Sequence, residues 1–415
     1  MSKISTIAIT QLGLCTPLGQ DKQQVLTRLL NGDTSGMQWR GDLIPDTQVL
    51  VGMVDGPLPE IPAHLTRFVC RNNQLILSAA MQIEEQVLEA KQTYGRDRIG
   101  VVLGTSTSGI AKGEQALAYR AQHGSLPQDY LYSKQEPGNS SEFLQHYFDL
   151  NGPCYTVSTA CSSSAKVFAS AKRLLNAGLC DLVIVGGADS LCKLTLNGFH
   201  SLESVSKGHC QPFSSNRDGI NIGEGAALFT LVRGEGDIQL AGVGESSDAH
   251  HISAPHPEGK GAIAAIEMAL RDADIAPEQI DYINLHGTAT VKNDAMESRA
   301  LVQVFGQKLP KVSSTKPMTG HALGAAGAIE AAFCYLLLSE HNLAQRLPPQ
   351  VNDGQWDESN PMLPFVADAP GINVSATDEP LTNESGRSLK YVMSNSFAFG
   401  GSNASLIFYR NESQA

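Results

Sequence analysis

The sequence contains no CxxC pair, and its eight cysteines are scattered over 415 residues. That spacing argues against a disulfide scaffold and against a zinc site, and it fits a reducing cytoplasm. There is no basic run and no basic stripe interleaved with aromatics, and the formal charge is −12. Nucleic acid and anionic membrane are therefore excluded as main partners. The longer apolar runs, Leu182 to Ala188 and Tyr335 to Leu338, fall far short of a bilayer span. Met1-Ser2-Lys3-Ile4-Ser5-Thr6 lacks the apolar core of a signal peptide. What remains is a globular composition, 42% hydrophobic and 17% charged, rich in Gly and Ala. The length suffices for two ordinary domains or one large one.

Short apolar strands alternate with helical patterns rich in Ala and Leu. Strands are expected at Ile7 to Ile9, Ile99 to Leu103, Asp181 to Ala188, Ala227 to Val232 and Tyr391 to Ser394. Helices are expected at Gln23 to Leu30 and, as one long amphipathic element, at Gln74 to Ala90. Thr107 to Asn151 is polar and interrupted, and reads as loops and short helices; Val351 to Leu389 reads as long polar loops. The alternation implies an α/β architecture.

The second half replays the first. Ile7-Ala8-Ile9-Thr10-Gln11-Leu12-Gly13 has a counterpart in Ile238-Gln239-Leu240-Ala241-Gly242-Val243-Gly244. Ile99 to Thr105 parallels Tyr282 to Thr288, and Ser158-Thr159 before one small-residue helix parallels Ser314-Thr315 before another. Two similar α/β halves are expected, residues 1–236 and 237–415, dividing near Arg233-Gly234-Glu235-Gly236.

The stretch around which these halves are arranged is Tyr155-Thr156-Val157-Ser158-Thr159-Ala160-Cys161-Ser162-Ser163-Ser164-Ala165. A β-prone run meets small hydroxyl residues, and a helical pattern follows, so Cys161 falls at a strand-to-helix turn. The free N–H groups of a helix start favour a thiolate and would lower the thiol pKa from its usual ~8.5. Taken alone, such a cysteine is equally readable as a buried structural residue. Three further stretches change that reading. His286 stands at the end of an apolar strand before Gly287-Thr288-Ala289-Thr290; Lys316 and His321 precede a buried helix; and Ser396-Phe397-Ala398-Phe399-Gly400-Gly401 reads as a mobile, ring-gated turn. A lysine beside a neutral imidazole helps keep it uncharged.

Thr159-Ala160-Cys161-Ser162-Ser163, His286-Gly287-Thr288-Ala289-Thr290, Ser314-Thr315-Lys316 with Gly320-His321 and Gly324-Ala325-Ala326-Gly327, and Asn395-Ser396-Phe397-Ala398-Phe399-Gly400-Gly401 resemble the ordered signature blocks of the elongating β-ketoacyl-acyl-carrier-protein synthases. Arg217-Asp218-Gly219 and Gly223-Glu224-Gly225-Ala226 match as well. The resemblance runs nearly end to end. It implies a thiolase-like αβαβα five-layer sandwich of two duplicated halves, normally dimeric, with the nucleophilic cysteine in the first half and the His and Lys residues in the second.

The implied activity is a decarboxylative Claisen condensation. Cys161 would take an acyl chain from carrier-protein phosphopantetheine as a thioester. The N–H groups of Cys161 and Phe399 would form the oxyanion hole, with Phe397, Gly400 and Gly401 in the gating loop. His286 and His321 would stabilise the enolate left when malonyl carrier protein loses carbon dioxide. Lys316 would set the electrostatics of the histidine pair, supported by Glu330, and Thr288 and Thr290 would grip pantetheine. No metal or organic cofactor is implied.

Acyl carrier proteins are acidic, so docking needs a local basic patch, for which Arg67, Arg71 and Lys207 are candidates by family position. Ala398 and Ser402 depart from the family's Gly-Phe-Gly-Gly-Thr loop, and Ala398 would stiffen it if that position required positive φ. Val291-Lys292-Asn293 also departs from the family pattern. Together with His250-His251 and His256-Pro257-Glu258-Gly259, these differences point to a specialised aryl-polyene-type pathway and to a homodimer or a heterodimer with a ketosynthase-like subunit. The alternative is a non-catalytic chain-length-factor-like partner, which should lack the nucleophile. A papain-like protease lacks support in the residues around Cys161, and a degradative thiolase should use a second cysteine as base. His250, His251 and His256 fit no common metal spacing.

Overall fold

The structure is a computed structural model, which describes residues 6–367 and 388–411. Its strands are β1 (Ile7–Cys15), β2 (Met37–Ile44), β3 (Thr47–Gly52), β4 (Ile99–Gly104), β5 (Cys154–Val157), β6 (Leu182–Asp189) and β7 (Gly225–Arg233), then β8 (Ile238–Ser247), β9 (Tyr282–Asn284), β10 (Lys311–Ser313), β11 (Tyr391–Phe397) and β12 (Ser402–Arg410). All but the β2–β3 hairpin join one sheet ordered β10-β9-β11-β12-β8-β1-β7-β6-β4-β5.

That order carries the repeat. From edge to centre the first five strands run β5-β4-β6-β7-β1, and the second five run β10-β9-β11-β12-β8, the same permutation. The directions match too: the outer three strands of each set are parallel and the inner pairings antiparallel. The two sets meet through the single antiparallel pairing Ala8↔Gln239.

The chain folds this way because its apolar faces need cover on both sides. Every residue of β6 is buried, as expected for a strand packed on two faces. Between the sheets lie the helices Ser163–Asn176 and Ala326–Leu338, whose Phe168 and Phe333 share one core with Phe229 and Phe408. Outside the first sheet, the helices Arg71–Ala80 and Asn139–Tyr147 enclose a second core with Val101, Ile184 and Leu228. Outside the second, the helices Lys260–Ala273 and Val291–Phe305 enclose a third with Ile283 and Ile407. Three cores between five layers give the αβαβα sandwich. The central helices approach closely: the Ala328 N–H donates to Ser164 Oγ at 2.9 Å. A Cβ on Gly104 would lie 2.4 Å from Ser164 N, so only glycine lets β4 sit against that helix.

Some expectations are corrected. The single helix over 74–90 is two, Arg71–Ala80 and Glu84–Tyr94. Between them Gln82 leaves the helical run to bond β1, its Nε2 donating to Leu14 C=O at 2.7 Å and its Oε1 accepting from Leu14 N–H at 3.2 Å. The polar 107–151 stretch holds a helix of 14 residues, Ile110–His123, in which only Gly113 and Ala116 are buried; with so narrow an apolar stripe it left little periodic signal. The β2–β3 hairpin was not anticipated. The loops expected over Val351 to Leu389 fall partly on residues 368–387, outside the described residues. Among the described residues no helix is long and apolar enough to cross a membrane.

Candidate active site

The first corner of the site is the turn after β5. Between Val157 and the helix at Ser163 the chain must reverse within five residues, and Ala160 does so at φ 51°, a left-handed conformation costing a residue with a Cβ roughly 1–2 kcal/mol. Side-chain hydroxyls hold it. Thr159 N–H donates to Ser163 Oγ at 2.8 Å, and Ser163 Oγ donates to Ala160 C=O at 2.6 Å. Ser162 Oγ donates to Thr159 C=O at 2.9 Å and lies 3.1 Å from Ser402 Oγ, tying the turn to the glycine loop. Cys161 is buried on this bend, its Sγ against the backbone N–H groups of Phe399 and of Cys161 itself.

The second half brings its imidazoles to the same point. Ligand-type atoms of Cys161, His286 and His321 all lie within 4.8 Å of one another, and all three residues are buried. The two rings stand nearly perpendicular, 86° at 5.3 Å between centroids, and Phe397 packs edgewise on His286 at 6.2 Å. Glu297, buried on the helix after His286, holds that corner by accepting from the His286 and Gly287 N–H groups at 2.8 Å each. His321 is pinned by its backbone, donating to Asn221 C=O at 2.7 Å and accepting from Gly223 N–H at 3.0 Å. Behind them the buried pair Lys316 Nζ–Glu330 Oε1 measures 2.5 Å.

Electrostatics follow from burial. Both imidazole pKa values lie well below the ordinary histidine value, first because the site is dry and then because the Lys316 ammonium repels a second cation. The rings are therefore neutral, with lone pairs free to accept a proton or N–H groups free to donate. The Cys161 thiol departs from expectation. Burial pushes it up to about 11, against the lowering by the Phe399 N–H, the Lys316 charge and its own N–H. The donors at the sulfur are the Phe399 and Cys161 N–H groups and not those of the helix start, and desolvation of the anion outweighs them. The resting site holds a thiol, two neutral imidazoles that can exchange its proton, and two N–H groups where charge would develop on a carbonyl oxygen.

The other expected residues have definite places. Thr288 and Thr290 lie with their hydroxyls 3.0 Å apart. Thr290, Phe397 and Phe399 line a cavity of about 310 Å³ that Lys292 and Ser253 also border. Phe399 packs on Phe199 at 5.5 Å between ring centroids. In the glycine loop positive φ falls on Gly400 (84°) and Gly401 (77°), and Ala398 keeps an ordinary backbone, so the alanine does not strain the turn.

Of the docking candidates, Arg67 is exposed and lines a groove of about 660 Å³ with Lys112, Lys134 and one carboxylate, Asp129. Lys207 is exposed beside Asp218. Arg71 is bidentate on the buried carboxylate of Glu224, with its own side chain 39% exposed, so its charge is already paired. The His250 and His256 rings are tilted at 55° with centroids 5.0 Å apart and have no third ligand, and among the described residues Cys161, His286 and His321 are the only such group close enough to hold a metal ion.

Two residues had escaped notice as parts of the site. One is the clamp Glu297. The other is Asp189, a carboxylate at the end of the otherwise apolar β6, which accepts from Thr105, Ser106 and Thr107 at 2.7–2.8 Å and from Ala325 N–H at 3.0 Å. A charge closing a buried strand was the available signal.

Comparison with known proteins adds an independent line. The model of the beta-ketoacyl synthase N-terminal domain matches residues 5–236, and that of the C-terminal domain matches residues 238–352. The chain is 30% identical over 438 residues to 3-oxoacyl-[acyl-carrier-protein] synthase 2 of Staphylococcus aureus (strain COL), covering 99% of this chain and 100% of that one. It is 32% identical over 428 residues to 3-oxoacyl-[acyl-carrier-protein] synthase 1 of Haemophilus influenzae, covering 97% and 98%. Among solved structures, a chain of the ketosynthase (ApeO) in complex with its chain length factor (ApeC) from Xenorhabdus doucetiae matches with a TM-score of 0.89 and 46% identity over 99% of both chains.

Proposed function

The chain belongs to the β-ketoacyl synthase family as a β-ketoacyl-acyl-carrier-protein synthase, and from that premise we propose that Cys161 carries the acyl chain while His286 and His321 serve the malonyl group. One observation carries the assignment: a thiol and two neutral imidazoles from opposite halves of the chain converge within 4.8 Å. In the first half-reaction Cys161 gives its proton to a neighbouring imidazole and its sulfur attacks the thioester carbonyl on carrier-protein phosphopantetheine. The N–H groups of Cys161 and Phe399 donate to the developing oxyanion, which collapses as the pantetheine sulfur leaves and takes the proton back from the imidazole. In the second, malonyl carrier protein loses carbon dioxide, and the N–H groups of the neutral His286 and His321 hydrogen-bond the enolate oxygen. The carbanion attacks the Cys161 thioester, the Cys161 thiolate is expelled and takes a proton from solvent, and β-ketoacyl carrier protein leaves. Lys316, held in place by Glu330, helps burial keep the imidazoles neutral. Thr288 and Thr290 hold pantetheine, Phe397, Gly400 and Gly401 gate the approach, and neither metal nor organic cofactor is needed.

The carrier protein docks at Arg67 and Lys207. The subunit pairs with a ketosynthase-like partner in the cytoplasm and serves an aryl-polyene-type pathway. The 46% identity to a chain of a ketosynthase–chain length factor complex supports this, as does the ishigamide ketosynthase/chain length factor, matched at 25% identity with a TM-score of 0.84. The same likeness raises the reading of a non-catalytic chain-length-factor subunit, which the retained thiol disfavours. Intact-mass analysis with a panel of acyl carrier-protein thioesters tests both. Acylation of the wild type that disappears in Cys161→Ala supports the assignment; a chain never acylated, or acylated equally in the variant, ends it.

A further inference from the structure

We infer that Cys161, His286 and His321 also form a capture site for a thiophilic divalent cation of the zinc class, and that a captured ion holds the condensing site shut. Soft sulfur and two imidazole nitrogens are the donors zinc prefers, and three protein ligands with an open fourth position are a stable arrangement for it. Tetrahedral zinc, with bonds of about 2.3 Å to sulfur and about 2.1 Å to nitrogen, places its ligands roughly 3.5 Å apart. The donor atoms here already lie within 4.8 Å, so small side-chain rotations close the gap.

The nitrogens are available for it. Nδ1 of His286 and both ring nitrogens of His321 are buried without a hydrogen-bond partner, and the rings stand perpendicular rather than stacked. The Lys316 ammonium, which opposes a proton on either ring, also opposes a captured ion, and its ion pair with Glu330 offsets part of that charge. Phe397, which packs on the His286 ring, also lines a cavity of about 310 Å³. Magnesium, a hard ion that seeks oxygen, has no ligands here.

The step balances without redox chemistry. The S–H bond breaks, its proton passes to a buffer base, the sulfur–zinc bond forms, and zinc stays divalent. Capture rests on the geometry alone; inhibition rests on the proposed reaction, because the ligated sulfur cannot accept an acyl group.

The test uses the full chain freed of metal and titrated with zinc chloride. Calorimetry and native mass spectrometry should find one ion bound per chain, cobalt chloride should give a thiolate-to-cobalt charge-transfer band, and magnesium chloride should do neither. Zinc should protect Cys161 of the wild type from iodoacetamide until a chelator is added, a readout independent of any variant's folding. Cys161→Ser and His321→Ala should lose the site, and His250→Ala should keep it. Absence of one-to-one binding, binding unchanged in Cys161→Ser, or no protection of the thiol each overturns the inference. Protection by zinc with condensation unimpaired would leave the metal site standing and refute the catalytic assignment of Cys161.

Discussion

The turn after β5 and the turn after β10 occupy equivalent places in the doubled architecture, yet they do different chemistry. The first is abrupt, one left-handed residue and then a helix, and it presents a sulfur to backbone N–H donors. The second is stretched. Lys316–Thr319 makes a short helix, Gly320 turns the chain at φ 69°, and a further helical turn precedes Ala326. That insertion is what places a lysine and a histidine where the first half has only its thiol. The helices that follow differ as well. Ser163–Asn176 has an exposed edge, and its Lys172 pairs with Asp272 at 2.6 Å where the carboxylate is still 24% exposed. Ala326–Leu338 is buried along almost its whole length, and its ion pair of Lys316 with Glu330 is 2% and 4% exposed. A duplicated scaffold thus supplies two corners, and the depth at which each lies decides whether a charge there is screened or felt by its neighbours.

If the two corners divide the labour as proposed, separating them is the strongest test. His286→Ala and His321→Ala should each lower malonyl decarboxylation roughly 10²–10⁴-fold while Cys161 is still alkylated by iodoacetamide. Alkylation falling in parallel would mean that the imidazoles chiefly activate the thiol. The two ion pairs come next. Lys316→Met leaves Glu330 buried and unpaired, so chemical denaturation should find a loss of about 3–5 kcal/mol. Lys316→Met/Glu330→Leu should recover most of that stability but not activity. Lys172→Met should cost less than Lys316→Met, since Asp272 is 24% exposed and keeps the Val243 N–H as a partner; an equal cost would erase the contrast in depth.

The pH dependence sharpens the same contrast. With the thiol pushed up to about 11, its alkylation should rise about tenfold per pH unit between roughly pH 7 and 10; a plateau near the ordinary value of about 8.5 would show that the N–H donors at the sulfur outweigh burial. The two imidazoles resist protonation in the folded state. Only the unfolded chain binds their protons as pH falls below its ordinary value of about 6.5, so stability should fall with acidification there and be fully retained above it. The smallest effects belong to the surface. Arg67→Glu should weaken carrier-protein binding by roughly tenfold, since a rim charge acts mainly on encounter, with thermal stability unchanged. Arg71→Glu should lower stability instead, because it faces Glu224.

Much of this was legible along the chain because it depends on local pattern. The strands β1, β4, β6 and β7 announced themselves as apolar runs, and the repeat was readable because Ile7–Gly13 and Ile238–Gly244 fill the same slot in each sheet. The Cys161 turn, the His286 strand end and the Gly400-Gly401 loop were marked by small residues beside reactive ones. The break at Gln82 was hidden because its partner is the backbone of Leu14, 68 residues away. Arg71 looked like any surface cation because Glu224, its partner, lies 153 residues on.

By itself the sequence determined which residues stand at strand ends and helix starts, and hence which side chains are candidates for chemistry, since 2- and 3.6-residue periodicities and small-residue turns are short-range properties. Only the tertiary structure decided how those groups behave. Whether Cys161 rests as thiol or thiolate, whether the histidines are neutral, and whether sulfur and nitrogen come close enough to share a proton or a metal ion all depend on how much water and which charges the two halves leave between them. Desolvation and Coulomb forces act through space, and residues more than a hundred positions apart set both.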